Sequence, residues 1–198
     1  MTQVALFHSA LGVRAGIRDA ADRLRAQGHV VTVVDQYGGR VFDDLDEANR
    51  LVGEIGFPAL LQRALDAVAE LPDGFICMGF SNGGGMAEHV ALHRDVAGAI
   101  LCSGTLPIAM LGSDSWPAST PVQIHYMEHD PRRPEGWAES VAASVRDSNS
   151  EVEFYEYPGA AHLFTDESLS QEFDAQATEL LWARVLTFCR GLEQAERV

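Results

Sequence analysis

The feature that most restricts the fold is the alternation of short, almost continuously apolar runs with segments of helical spacing. The apolar runs predict six strands, at residues 4–8, 29–34, 74–80, 97–102, 122–127 and 152–157. Helices are predicted at 13–27, from the end of the loop 35–44 to about 71 with a break point at 56–58, from the turn at 81 to about 95, at 134–147 and at 172–192. Apolar strands separated by helices are typical of a parallel sheet covered on both faces. We therefore predict an α/β fold with a mostly parallel central sheet, helices on both faces and no large cap domain.

Length and charge restrict the class of protein further. A chain of 198 residues with 46% hydrophobic residues has the size of one domain, so residues 1–198 are predicted to form a single domain. The formal charge of -15 disfavours nucleic acid and anionic membrane surfaces as partners. The amino terminus has no basic segment before an apolar run, and no run of eighteen apolar residues occurs, so a cytoplasmic protein is expected. The sequence leaves open whether the protein is a monomer or a homodimer.

Neither the cysteines nor the histidines suggest a metal site. Cys77, Cys102 and Cys189 form an odd set without metal-ligand spacing, and each lies in an apolar run, which predicts buried thiols. His89 and His93 share a helix face, a spacing that can bind a metal, but no third ligand is evident. We predict that no metal and no other cofactor is required.

Reactive side chains follow three of the predicted strands. Ser81 follows the third strand, Asp130 the fifth and His162 the sixth. The carboxyl ends of parallel strands meet at one edge of a sheet, where ligands bind. The chain order serine, acid, histidine is the order of an α/β-hydrolase triad. The pattern therefore predicts Ser81 as nucleophile, His162 as general base and Asp130 as the acid that orients the histidine.

The stretch Gly79-Phe80-Ser81-Asn82-Gly83-Gly84-Gly85 fits this interpretation at the backbone level. A nucleophile exposed at a strand-to-helix turn adopts a strained conformation, and side chains two residues before and after it would collide. Gly79 and Gly83 remove those side chains. The Asn82 N–H lies at the start of the following helix, where it can bind the oxyanion of a tetrahedral intermediate. Gly84 and Gly85 have no role in this interpretation.

Alternatives remain at each position. Glu128, Asp114 and Asp166 also follow strands or lie in loops and could replace Asp130, and His162 competes with the other histidines, which are His8, His29, His89, His93, His125 and His129. The glycines also approach the GxGxxG pattern of a nucleotide-binding or phosphate-binding domain, although no acid follows the next strand. A hydrolase fold that only binds a ligand is a further alternative.

Four segments spread along the whole chain, at residues 12–24, 34–40, 79–84 and 157–164, resemble the dienelactone hydrolase family of α/β-hydrolases. The resemblance rests on residues 12–24, on Val34-Asp35-Gln36-Tyr37-Gly38-Gly39-Arg40, on residues 79–84 and on Tyr157-Pro158-Gly159-Ala160-Ala161-His162-Leu163-Phe164. Corresponding family segments are GVN–IRD–ADRLA, PDLYGR, GxCxGG and YPGAxHAF. The resemblance implies hydrolysis of a small-molecule ester or lactone through an acyl-enzyme, and it places the second oxyanion donor at the Ala10 N–H. These residues do not separate a hydrolase from an acyltransferase or a perhydrolase.

Three departures from the family bear on the substrate. Ser81 stands where dienelactone hydrolase has a cysteine, Ser9 where it has an activating glutamate, and Asp166 where it has an arginine that binds the substrate carboxylate. An aspartate would repel that carboxylate, so an uncharged acyl group is expected. The pocket is predicted in the loops 36–45 and 106–116, with Ser9, Leu11, Tyr37 and Phe164 as lining residues.

Overall fold

The computed structural model describes residues 2–195, which form a parallel sheet covered by helices on both faces. The strands are β1 (Gln3–Phe7), β2 (Val30–Val34), β3 (Phe75–Phe80), β4 (Val96–Cys102), β5 (Val122–Met127) and β6 (Val152–Tyr157). Within the described residues they form one sheet in the order β2-β1-β3-β4-β5-β6, with every neighbouring pair parallel. The predicted α/β fold is confirmed, and β5 and β6 have the predicted bounds.

The helices are α1 (Ala15–Ala26), α2 (Leu45–Ile55), α3 (Phe57–Ala67), α4 (Asn82–His93), α5 (Trp137–Asp147) and α6 (Ala175–Ala195), and a short 3₁₀ helix spans Ile108–Leu111. The predicted break between α2 and α3 lies at Gly56, which has a φ of 83°. Asp44 caps α2 by accepting a hydrogen bond from the Glu47 N–H at 2.8 Å. The two helices are separate because the positive φ of Gly56 ends α2, and Pro58 favours the start of α3.

The core has two layers, one on each face of the sheet. Successive strand residues point to opposite faces. Phe75 and Cys77 therefore pack against the side covered by α2 to α5, whereas Ile76 and Met78 pack against the side covered by α1 and α6. Because all six strands of the described sheet are parallel, the polar side chains that follow them collect at its carboxyl edge.

Two helices begin three residues later than predicted. The helix predicted from residue 134 begins at Trp137, after Gly136 with a φ of 77°. The helix predicted from residue 172 begins at Ala175, where Asp174 Oδ1 accepts a hydrogen bond from the Ala177 N–H at 2.9 Å. Local turn and capping geometry delays both helices and leaves Pro134 and Glu172 in loops. No helix within residues 2–195 is long and apolar enough to cross a membrane.

Candidate active site

Ser81 occupies the turn between β3 and α4 in a conformation that side chains rarely adopt. Its φ is 53° and its ψ is -118°, so the residue is strained and depends on its surroundings. The Ser81 N–H donates to the Cys102 carbonyl at 2.7 Å, and the Ser81 carbonyl accepts from the Gly84 N–H at 2.8 Å. These backbone hydrogen bonds hold the serine at the carboxyl edge of the sheet.

The structure brings Ser81, His162 and Asp130 into one hydrogen-bonded chain. His162 Nε2 lies 2.7 Å from Ser81 Oγ. His162 Nδ1 lies 2.8 Å from Asp130 Oδ2 and 3.0 Å from Oδ1. The Asp130 side chain is fully buried and that of His162 is 7% exposed. With Asp130 ionised, Nδ1 carries the proton, and Nε2 is free to accept the Ser81 hydroxyl proton.

Glu172 holds the backbone that carries the histidine, a role that no sequence signal indicated. Glu172 Oε2 accepts hydrogen bonds from the His162 N–H at 2.9 Å and from the Leu163 N–H at 2.6 Å. Charge-assisted hydrogen bonds of this kind are stronger than neutral ones. The His162 loop is therefore tied to the segment that precedes α6.

Two backbone donors lie beside Ser81. Ala10 follows β1, Asn82 is the first residue of α4, and both line the same cavity as Ser81. Neither N–H has a backbone or side-chain acceptor within the part of the chain that the structure describes. The first N–H groups of a helix have no partner inside the helix, so the Asn82 N–H is available to a ligand.

The cavity beside Ser81 has a volume of about 410 Å³ and a largely apolar wall. Apolar side chains on the wall come from α2, from α3, from the loop after β4 and from the segment leading into α5, and include Leu45, Val52, Phe57, Leu106, Pro134 and Trp137. The predicted loops therefore contribute only Leu45 and Leu106. The sequence did not indicate Val52, Phe57 and Trp137 as lining residues. Which side of a helix borders the cavity depends on how the helices pack, and no local pattern shows this.

The four predicted lining residues lie elsewhere. Tyr37 is buried against His8, with ring centroids 4.5 Å apart. Phe164 is buried against Tyr157, with ring centroids 5.3 Å apart. Ser9 Oγ accepts from the Leu11 N–H at 3.2 Å and borders a small separate cavity, and Leu11 borders a neighbouring depression. Among the described residues, none of the four lines the cavity that contains Ser81.

Asp166 is turned away from the cavity. Asp166 Oδ2 lies 3.5 Å from Arg14 Nε. Asp166 also packs against Gly16, and a Cβ on Gly16 would collide with the Asp166 side chain. Arg14 also donates to the Phe42 carbonyl at 2.7 Å and to Ser168 Oγ at 3.1 Å, and pairs with Asp43. The expected repulsion between Asp166 and a substrate carboxylate therefore has no structural basis.

The other candidate acids and histidines lie outside the hydrogen-bonded chain. His8 is fully buried and accepts from the Gln36 N–H at 3.1 Å, and burial lowers its pKa. The His89 and His93 rings lie 4.2 Å apart. Within residues 2–195, no three His, Cys, Asp or Glu side chains are grouped to hold a metal ion. Cys77, Cys102 and Cys189 are buried free thiols, and burial raises their pKa values.

Glu88 is an unexpected buried acid behind the cavity wall. It lies inside α4 with no exposed surface, and its Oε2 accepts from the Leu106 N–H at 2.6 Å. Burial raises the pKa of Glu88 well above its usual range, because a buried site disfavours the charged carboxylate. Glu88 thereby fixes the backbone of Leu106, which lines the cavity.

The sheet order, the helices on both faces and the turn at Ser81 define the class: the fold is that of an α/β-hydrolase. The family model of the dienelactone hydrolase family matches residues 1–192. The chain belongs to the dienelactone hydrolase family, as the sequence resemblance predicted, and this membership supports a hydrolase function.

Solved structures show the same fold at low sequence identity. The protein m3DLH matches with a TM-score of 0.76 at 21% identity, covering 94% of this chain and 84% of that chain. A dienelactone hydrolase-like promiscuous phosphotriesterase, P91, from metagenomic libraries matches with a TM-score of 0.77 at 21% identity, covering 98% and 86%. A dienelactone hydrolase described as putative, from Klebsiella pneumoniae subsp. pneumoniae, matches with a TM-score of 0.73 at 22% identity, covering 94% and 85%. No curated protein matches the chain.

Proposed function

We propose that the protein is a serine hydrolase that cleaves carboxylic esters or lactones through an acyl-enzyme. The observation that carries this proposal is the contact of 2.7 Å between Ser81 Oγ and His162 Nε2 beside an apolar cavity. The contact is within the range required of a nucleophile and its general base. Asp130, hydrogen-bonded to Nδ1, supplies the orienting group.

The reaction follows from these positions. His162 takes the Ser81 proton as Oγ attacks the carbonyl carbon, and the N–H groups of Ala10 and Asn82 bind the oxyanion. His162 then gives the proton to the departing alkoxide, which leaves an ester of Ser81. Water, deprotonated by His162, attacks that ester, and release of the acid restores the Ser81 hydroxyl. None of these steps calls for a metal or an organic cofactor.

The cavity favours a small acyl group with an apolar surface. Its wall is formed by side chains such as Val52, Phe57 and Leu106, and no carboxylate lines it among the described residues. A ligand that contacts these side chains is stabilised by removal of apolar surface from water.

Substitution of the nucleophile tests the proposal. The purified protein is expected to hydrolyse short-chain p-nitrophenyl esters and to be labelled once by a fluorophosphonate, as measured by intact mass. Ser81→Ala should lose labelling and lower kcat by a factor on the order of 10⁴ or more. Ser103→Ala is the matched control, because Ser103 lines the same cavity and also has a φ of 53°.

The opposite results discriminate between the alternatives. Equal turnover by wild type and Ser81→Ala would disprove the nucleophile assignment. A folded wild-type protein that is neither labelled nor active would support a hydrolase fold that only binds its ligand.

A further inference from the structure

The largely apolar wall of the cavity beside Ser81 contains two hydroxyl groups that contact each other. Thr105 Oγ1 lies 3.0 Å from the phenol oxygen of Tyr126, within hydrogen-bond distance. Thr105 follows β4, Tyr126 lies in β5, and both residues line the cavity. They are only 4% and 1% exposed, so their hydroxyl groups, here called the hydroxyl pair, depend on the cavity for any further partner.

The hydroxyl pair holds one proton more than it uses internally. Each hydroxyl group has one proton, and the contact between the two oxygens occupies one of the two. Neither oxygen has another hydrogen-bond partner within residues 2–195. A buried donor that lacks an acceptor costs about 1–3 kcal/mol. Whichever hydroxyl donates to the other, the second proton is left for an acceptor inside the cavity.

Tyr126 is held in the wall as a neutral donor. Burial raises the pKa of its phenol above the ordinary value, so the phenol keeps its proton at neutral pH. The Arg133 guanidinium lies 5.0 Å from the centroid of the Tyr126 ring, and Arg133 is itself paired with Glu139 and Glu156. These contacts restrict the ring, so the phenol oxygen has a defined position.

The loop that carries Thr105 is tied to the nucleophile. Gly104 packs so closely against the Ser81 carbonyl that a Cβ on Gly104 would collide with it. Thr105 is the next residue, with its Cα about 3.8 Å from that of Gly104. The following N–H, that of Leu106, donates to Glu88 Oε2 at 2.6 Å. The hydroxyl pair is therefore held one residue beyond the segment that touches Ser81.

The lining of the neighbouring depressions indicates which portion of an ester meets the hydroxyl pair. His162 lines the cavity beside Ser81 and also two outer depressions of about 520 Å³ and 290 Å³. In the proposed reaction His162 gives its proton to the alkoxide, so the alcohol portion lies against His162. Of these three spaces, Thr105 and Tyr126 line only the cavity beside Ser81. The acyl portion of the ester is thus the part that faces them.

We propose that the hydroxyl pair is a specificity site that donates a hydrogen bond to a neutral oxygen on the acyl chain of the substrate. An ether, ketone or hydroxyl oxygen fits, because the buried pair carries no charge to balance that of a carboxylate. The rest of the acyl chain contacts apolar side chains such as Val52 and Leu106. This assignment rests on the proposed hydrolase function. It predicts that oxygenated acyl groups are preferred over hydrocarbon acyl groups of the same shape.

Matched acyl groups test this assignment. p-Nitrophenyl methoxyacetate has an oxygen where p-nitrophenyl butyrate has a methylene group, and p-nitrophenyl 4-oxopentanoate has a carbonyl oxygen where the 4-methylpentanoate ester has a methyl group. For each pair the ratio of kcat/KM values is compared between variants, because intrinsic differences in reactivity then cancel. In the double variant Thr105→Val with Tyr126→Phe, the ratio is expected to fall about three- to tenfold for at least one pair, the size of one neutral hydrogen bond.

Single variants and a matched control separate a hydrogen bond from a change in cavity shape. Thr105→Val and Tyr126→Phe each keep one hydroxyl group and should lose part of the preference, whereas Thr105→Ser keeps both and should retain it. Tyr155→Phe removes a hydroxyl group that donates to Glu153 Oε2 at 3.0 Å and does not line the cavity. This control should leave both ratios unchanged. Circular dichroism checks the folding of every variant.

Four results would contradict these expectations. Ratios that are equal in wild type and the double variant, or that fall as much in Tyr155→Phe, would overturn the proposal. If the double variant does not fold, unchanged ratios in both single variants would overturn it. A loss confined to 2-methoxyethyl butyrate relative to butyl butyrate would overturn the placement on the acyl side. Inactivity of the wild type toward every ester, without fluorophosphonate labelling, would instead disprove the hydrolase function itself.

Discussion

At the scale of single residues, glycines around Ser81 make its conformation possible. A Cβ on Gly79 would collide with the Gly83 carbonyl, and a Cβ on Gly83 would collide with the Phe7 carbonyl. Gly84 and Gly104 pack against each other through the backbone, and Gly104 also lies against the Ser81 carbonyl. Gly84, which had no role in the sequence interpretation, is therefore required by a close backbone approach from the loop after β4.

Gly84→Ala is expected to destabilise the protein far more than Gly85→Ala. The new Cβ at Gly84 would meet the backbone oxygen of Gly104, which cannot move without displacing Ser81, whereas at Gly85 it would meet Leu106 Cδ1, the end of a side chain that can rotate. We expect a loss of about 2 kcal/mol or more in the free energy of unfolding for Gly84→Ala and less than about 1 kcal/mol for Gly85→Ala. Urea unfolding measures both. Equal losses would contradict the assigned contact.

At the scale of elements, the start of each helix decides which side chains remain in loops. Because α6 begins at Ala175 and not at residue 172, Glu172 lies in a loop and can reach the His162 backbone. Because α5 begins after Gly136, Pro134 lies in the loop beside the cavity. The later start of these two helices thus supplies a contact that positions His162 and one apolar residue of the cavity wall.

Glu172→Ala is predicted to lower kcat about 10- to 100-fold with little change in KM, because the His162 backbone loses both hydrogen bonds that position it. Glu172→Gln should be intermediate, since its amide oxygen can still accept. Steady-state kinetics and the rate of fluorophosphonate labelling measure the effect. Glu167→Ala, at an exposed acid of the same segment, is the control and should retain its kcat. If Glu172→Ala retains it as well, Glu172 has no positioning role.

At the scale of the whole molecule, burial places several ionisable groups in the interior of an acidic protein. His125 is fully buried in β5, and burial lowers its pKa to about 3. Burial, followed by the charge of His93, lowers the pKa of His89 to about 4. These histidines remain neutral in the folded state at pH values at which they are protonated in the unfolded chain.

The pH dependence of stability follows from the direction of these shifts. Between about pH 6.5 and pH 4 the unfolded chain binds more protons at His89 than the folded protein does, so stability falls as the pH is lowered through this range. His89→Gln is expected to reduce the loss of unfolding free energy between pH 7 and pH 4.5 by about 1 to 3 kcal/mol. Urea unfolding at the two pH values measures it, with His129→Gln on an exposed loop as control. If the loss of unfolding free energy between the two pH values is the same in His89→Gln as in wild type, His89 does not contribute to the pH dependence of stability.

The sequence by itself determined the elements, the type of sheet and the edge at which Ser81, Asp130 and His162 meet. Apolar runs and glycine turns are local signals, and the carboxyl ends of parallel strands share one edge whatever the details of packing. The tertiary structure alone decided which side chains line the cavity and how the loops are held. Asp166 faces Arg14 and does not line the cavity, whereas Trp137 and Val52 form part of the wall. Those partners are distant in the sequence, and the packing of helices and loops selects them, so no local pattern records them.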